Sequence, residues 1–157
     1  FTQLIDKAEY KKYQFAFGKG LIKKGDVTGL KYIHFENCLK KDDDWSSILF
    51  EVKQKLDAVK DLEDKRTEDF YIELLHCEAF TRLVSNFQEI IEGTYRGADL
   101  LEYNHLRVIN AYEIMLRGIL LNRLTNLVSA VRELGMKSKD QRIKGITDHF
   151  LAEIEKK

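Results

Sequence analysis

The chain has 157 residues, enough for one domain whose core needs no metal or disulfide to hold it. Hydrophobic residues make up 44% and charged residues 33%, with 26 basic against 26 acidic, which excludes disorder and argues against broad electrostatic binding to nucleic acid or anionic lipid. There is no proline, so helices can run uninterrupted, and the longest wholly apolar runs are only a few residues, which excludes a bilayer span.

A first helix is expected over residues 2–24, with apolar or aromatic positions at Leu4, Ile5, Ala8, Tyr13, Phe15, Ala16 and Phe17. Gly18 and Gly20 weaken its second half, and Gly25-Asp26 is a turn signal. A second helix, roughly 27–41, carries Leu30, Ile33, His34 and Cys38 and stops at Asp42-Asp43-Asp44, which offers carboxylates to cap the next. The third, 45–64, places Trp45, Ile48, Leu49, Val52, Leu56, Val59 and Leu62 on one face. The fourth, 67–92, has a seam of three- and four-residue steps through Phe70, Leu74, Cys77, Phe80, Val84, Phe87 and Ile91, with Thr67 as a candidate cap. After Gly93–Gly97, Asp99 caps a fifth helix running to Leu134, whose broad stripe (Val108, Ile109, Tyr112, Met115, Leu116 and onward) suits a central position. A sixth, 138–156, carries Ile143, Ile146, Phe150, Leu151 and Ile154. Period-two alternation is missing, so no sheet is expected. The fold class is therefore all-α: a bundle of about six helices with a long central antiparallel hairpin, about 67–92 and 99–134. It forms a single domain over 1–157, in which an N-terminal hairpin, 2–41, packs on the bundle 45–156.

Residues 11–42 resemble one tetratricopeptide repeat. Gly18 stands at the small position of its first helix, Gly25-Asp26-Val27 forms the turn, Leu30 takes the small position of its second helix, His34 or Phe35 the aromatic one, and Asp42 the stop. The resemblance covers about a fifth of the chain, with no second copy at a period near ~34 residues. It implies a scaffold that binds peptides or proteins and does no catalysis.

Two constellations point to chemistry. Glu73-Leu-Leu-His76 and Glu102-Tyr-Asn-His105 are Glu-x-x-His pairs; three residues apart on a helix, each can chelate a metal, and with Glu36 and Glu113 they would supply the ligands of a di-metal bundle. Arg142 and His149, separated by six residues, share a helix face and are similar in spacing to the Arg–His pair of the helical HEPN ribonucleases. There the two act on the RNA phosphate and ribose hydroxyl; Ile143 departs from the polar residue usual after the arginine. Glu113 and Arg117 form an i, i+4 pair in the favourable order. Cys38 and Cys77 lack metal or redox spacing and read as reduced thiols of a cytoplasmic protein. The start at Phe1 leaves a processed or secreted form open, a helical cytokine included.

Charge is segregated. Residues 1–41 carry nine lysines against four acidic residues, and residues 42–92 carry six basic against fourteen acidic. With no recognisable catalytic motif, the leading expectation is a non-enzymatic interaction module with no cofactor. Its partner is another protein, met through a basic N-terminal surface of Lys11, Lys12, Lys19, Lys23 and Lys24.

Overall fold

The computed structural model describes residues 7–33, 45–92 and 98–156. Among them every regular element is helical: α1 (Lys7–Lys23), a 3-10 turn (Val27–Tyr32), α2 (Trp45–Val59), α3 (Thr67–Leu75), α4 (Glu78–Glu92), α5 (Ala98–Leu121), a second 3-10 turn (Thr125–Leu127), α6 (Val128–Lys137) and α7 (Gln141–Glu155). The all-α bundle follows from the three- and four-residue spacing of its apolar residues. Among the described residues no helix is long and apolar enough to cross a membrane.

α5 is the central element and packs against α2, α3, α4 and α7. Its broad stripe is buried on all these sides: Val108, Tyr112, Met115 and Ile119 are each at most 1% exposed. α2 contributes Ile48, Leu49, Val52, Leu56 and Val59 to the same cluster. The α3–α4 arm runs antiparallel to α5, since Phe87 stacks on His105 while Tyr71 lies against Gly118.

The helix expected over 67–92 is broken at His76 and Cys77. His76 N–H reaches Ile72 O at 3.0 Å, Cys77 N–H reaches Leu74 O at 3.0 Å, and Thr81 N–H opens α4 on Cys77 O at 3.0 Å. The side chain of His76 adds its own bond from Nδ1 to Ile72 O, 2.8 Å. The seam survives the break: Phe70, Leu74, Cys77, Phe80, Val84 and Phe87 are all buried. Thr67 does not cap α3. Its hydroxyl donates back to Asp64 O at 2.6 Å, and the Asp64 carboxylate instead accepts from Arg66, which holds that carboxyl below its usual range.

A second interruption lies inside α4, at Asn86 (φ −146°, ψ 48°). The kink coincides with two crosslinks from the α6–α7 connection. Ser138 Oγ donates to Val84 O at 2.9 Å and Lys139 N–H to Ser85 O at 3.0 Å. A backbone irregularity persists where its freed acceptors find donors, and here the next connection supplies both.

The helix expected to run to Leu134 stops at Leu121. Leu124 N–H bonds Ile119 O (3.1 Å) and Arg123 N–H bonds Leu120 O (3.1 Å), the paired bonds of a Schellman stop, with Arg123 at φ +52° where glycine is usual. Asn122 fixes the stop from the side: its amide donates to Leu62 O (3.0 Å) and Gly118 O (2.9 Å), and its oxygen accepts from Asp64 N–H. One buried asparagine thus ends α5 and ties down the α2–α3 loop, so α2 ends at Val59 instead of continuing to residue 64.

α1 also closes with a Schellman stop, at Gly25 (φ +85°): Asp26 N–H bonds Leu21 O and Gly25 N–H bonds Ile22 O, both 2.9 Å. Beyond it, the expected second helix is a 3-10 turn over Val27–Tyr32, capped by Asp26, whose carboxylate accepts from Thr28 N–H (3.0 Å) and hydroxyl (2.7 Å). Ile33 is already extended, and residues 34–41 lie outside the described residues. The turn crosses α1 at two glycines. A Cβ on Gly18 would stand 2.7 Å from Gly29 O, and one on Gly29 would overlap Gly18 O.

Candidate functional site

The structure joins halves of the two sequence constellations. His105, projecting from α5 and 7% exposed, stacks on Phe87 with centroids 4.7 Å apart and planes 26° apart. Its Nε2 stands against Asp140 Oδ2, and Arg142 Nη2 donates to its Nδ1. A guanidinium can only donate, so Nδ1 is the acceptor in this bond. Asp140 has a second duty. Its Oδ1 accepts from Arg142 N–H (2.7 Å) and Ile143 N–H (3.3 Å), which caps α7. One carboxylate thus starts α7 and stands against the ring packed between α7 and α5, although His105 Nε2 is not in hydrogen-bonding geometry with it. Apolar spacing starts the last helix at residue 138 and does not single out Asp140; an aspartate directly before Gln141 is the signal that marks it.

Two turns further along, Tyr112 and Thr147 share a buried hydrogen bond of 2.5 Å, and Thr147 also donates to Ile143 O at 2.8 Å. Burial pushes the Tyr112 phenol up to about 12, against a smaller lowering by Thr147. Contacts 105 to 140–142 and 112 to 147 advance together, so α5 and α7 run parallel. Between them lies a groove of 860 Å³ with an apolar floor including Ile109, Leu116, Ile146 and Phe150, and rims bearing Glu113 and Arg117 on α5 and Arg142, His149 and Glu153 on α7. No family model, curated protein or solved structure matches this chain.

Arg142 and His149 therefore do line one groove, with the Arg142 guanidinium engaged by His105 and His149 exposed. The two Glu-x-x-His pairs are placed differently. His76 is exposed at the end of α3 and bonded to Ile72 O, whereas His105 is enclosed by Phe87, Asp140 and Arg142. Glu73 lies on α3, half-buried, and Glu113 lies on the groove rim. The side chain of Glu102, and Glu36 and Cys38 entirely, are outside the described residues. Among the described residues no three His, Cys, Asp or Glu side chains converge on a metal-sized site. Cys77 is buried and in no disulfide.

α1 presents a different kind of surface. Lys11, Lys12, Lys19, Lys23 and Lys24 are all exposed. Lys12, Lys19 and Lys23 stand at i, i+7 and i+11, a single stripe. On another face of the same helix, Tyr10, Tyr13 and Phe17 are 43%, 62% and 55% exposed. The spacing places Tyr13 and Phe17 among the apolar positions of the first helix, but the residues it turns inward are Gly18 and Ile22, with Phe15 half-buried against the core. Phe17 meets the edge of Tyr32 at 5.0 Å, and Lys31 Nζ lies 5.2 Å from the Tyr32 ring centre. α1 thus carries an aromatic ridge, with Lys31 near one end of it, and a lysine stripe about a third of a turn round the helix.

Proposed function

We propose that this protein is a non-enzymatic helical interaction module that receives an acidic protein partner on α1. The observation that carries this is the exposed ridge of Tyr10, Tyr13 and Phe17 in the same segment as five exposed lysines. Burying one large aromatic side chain is worth about 1.5–3 kcal/mol, and aromatic residues are enriched where proteins meet. Lysine around such a ridge selects an acidic partner and speeds encounter more than it adds affinity. The tetratricopeptide-like reading of residues 11–42 carries the same expectation of a hairpin that holds a peptide.

The test uses two double variants, Lys23→Glu with Lys24→Glu, and Tyr13→Ser with Phe17→Ser. Unchanged melting temperature with lost capture of the partner from native extract supports the reading. Lost stability with capture intact would assign these residues to the fold.

One observation favours a second reading, a ribonuclease of the HEPN kind: Arg142 and His149 border one groove. That reading requires RNA cleavage by the purified protein, abolished by His149→Ala with the helical signal intact.

A further inference from the structure

The outward side of α1 divides into three strips that run along its axis. At about 100° per residue, Lys12, Lys19 and Lys23 fall within about 40° of one another, and Tyr10, Tyr13 and Phe17 within about 60°. Midway between the two rows lie Ala16 and Gly20. Ala16 is exposed, and a Cβ at Gly20 would meet nothing within 4 Å, so the middle strip is low and open. The far side of the helix, with Gly18 and Ile22, is the one the chain itself covers.

Charge says what suits the lysine row. Lys12, Lys19 and Lys23 enter no ion pair among the described residues. Glu9, at the N-terminal end of the middle strip, is the one acidic residue of α1. Three ammonium groups in line with no counter-charge of their own are complementary to a line of carboxylates. The aromatic row beside them is complementary to an apolar line.

Two parallel rows call for a partner that carries two rows on one side. An extended strand turns alternate side chains to opposite faces, so it offers a surface a single row. A helix places neighbouring rows on one face through its three- and four-residue steps, and can bring an apolar and an acidic row together. The low strip between the rows lets such a helix come in at the short end of the usual spacing of about 8–10 Å between axes. From Tyr10 to Lys23 the rows extend about 20 Å at 1.5 Å per residue, which a helix of about four turns would cover. We propose that the partner's contacting element is an acidic amphipathic helix laid along α1 over Ala16 and Gly20, its apolar row on the aromatics and its carboxylates on the lysines. This rests on α1 being the recognition surface and adds the shape of what it recognises.

Fluorescence anisotropy of the full chain with two labelled synthetic peptides tests this. One is a helix held by a hydrocarbon staple, with leucine in one row, glutamate in another and alanine between. The other has the same residues, no staple, and leucine alternating with glutamate. The helical peptide should bind at least about tenfold more tightly than its isomer. Gly20→Leu raises a side chain from the middle strip while improving helix propensity. It should weaken the helical peptide by about tenfold, with the melting temperature unchanged or higher. Equal binding of the two peptides, no binding of the helical one, or indifference to Gly20→Leu overturns the proposal. If both peptides bind alike and both weaken with Lys23→Glu and Lys24→Glu, α1 remains a surface for acidic partners and the helical shape alone is wrong. If the helical peptide binds but ignores both the lysine reversal and Tyr13→Ser with Phe17→Ser, the recognition surface on α1 falls with it.

Discussion

The two longest described helices place their large side chains in opposite ways. α5 buries Tyr112, Met115 and Ile119 completely, whereas α1 leaves Tyr10, Tyr13 and Phe17 in water. Of the buried hydrophobic cluster, residues 7–33 supply only Ile22 and Ile33. The two regions nonetheless share local devices: each helix ends in a Schellman stop, and each has a glycine where another backbone or side chain comes close. Local helix construction is therefore common to both, and what separates them is whether the apolar face has been matched by the rest of the chain. Where it has, the side chains hold the fold together. Where it has not, they are available to a partner.

The largest effect that can break this comparison is in the core. Phe80→Ala should destabilise by about 3–5 kcal/mol, while Phe17→Ala should change stability by no more than about 0.5 kcal/mol. Chemical denaturation of both variants checks this, and similar losses at the two positions would erase the distinction drawn between the helices.

High pH gives the next effect. Burial raises the phenols of Tyr71 and Tyr112, the latter to about 12. From about pH 10 upward the unfolded chain releases these protons while the folded chain keeps them, so stability is complete below pH 10 and falls as pH rises, by about 1.4 kcal/mol per unit for each tyrosine. Melting curves in alkaline buffer should show this decline, and the double variant Tyr71→Phe, Tyr112→Phe should flatten it. A decline of the same slope in that variant would show that other groups cause it.

Glycines sharpen the contrast further. A Cβ at Gly118 would overlap the Tyr71 hydroxyl, whereas one at Gly20 on α1 meets nothing within 4 Å. Gly118→Ala should therefore cost about 1–3 kcal/mol. Gly20→Ala should stabilise by up to about 1 kcal/mol. The Tyr71 hydroxyl is buried with no hydrogen-bond partner among the described residues, so Tyr71→Phe alone should cost little, but it should leave part of the Gly118→Ala defect because the ring carbon Cζ still overlaps the added methyl. The smallest effect is at the two helix stops. Arg123→Gly should stabilise by about 1 kcal/mol, because a side chain is disfavoured at positive φ, and Gly25→Ala should destabilise by a similar amount.

Much of the bundle is legible in the sequence because burial sets a period: the seam from Phe70 to Phe87 and the stripe from Val108 to Ile119 are read correctly without knowledge of their neighbours. The breaks are not legible in the same way. The stop after Leu121 depends on Asn122 bonding to Leu62 and Asp64, about sixty positions earlier in the chain, and nothing local to Arg123 announces a left-handed residue. The kink at Asn86 is matched by Ser138 and Lys139, again distant in sequence. The site shows the same limit. Glu102-x-x-His105 and Arg142-x6-His149 were read as separate constellations, and only the fold reveals that His105 of one contacts Arg142 of the other. The lysines of α1 were legible as a basic segment, but the exposed aromatics among them were not, since Tyr13 and Phe17 occupy spacing that also suits a core.

The claim that α1 is a recognition surface is tested most directly by photo-crosslinking in the native cell. A photoreactive residue replaces Tyr13 on the aromatic ridge or, as a control, Gln54 on the exposed side of α2. The account predicts a discrete protein adduct from position 13, none from position 54, and loss of the adduct when Lys23 and Lys24 are changed to glutamate. Crosslinks of equal yield from both positions, or an adduct at position 13 that survives the lysine reversal, would contradict it.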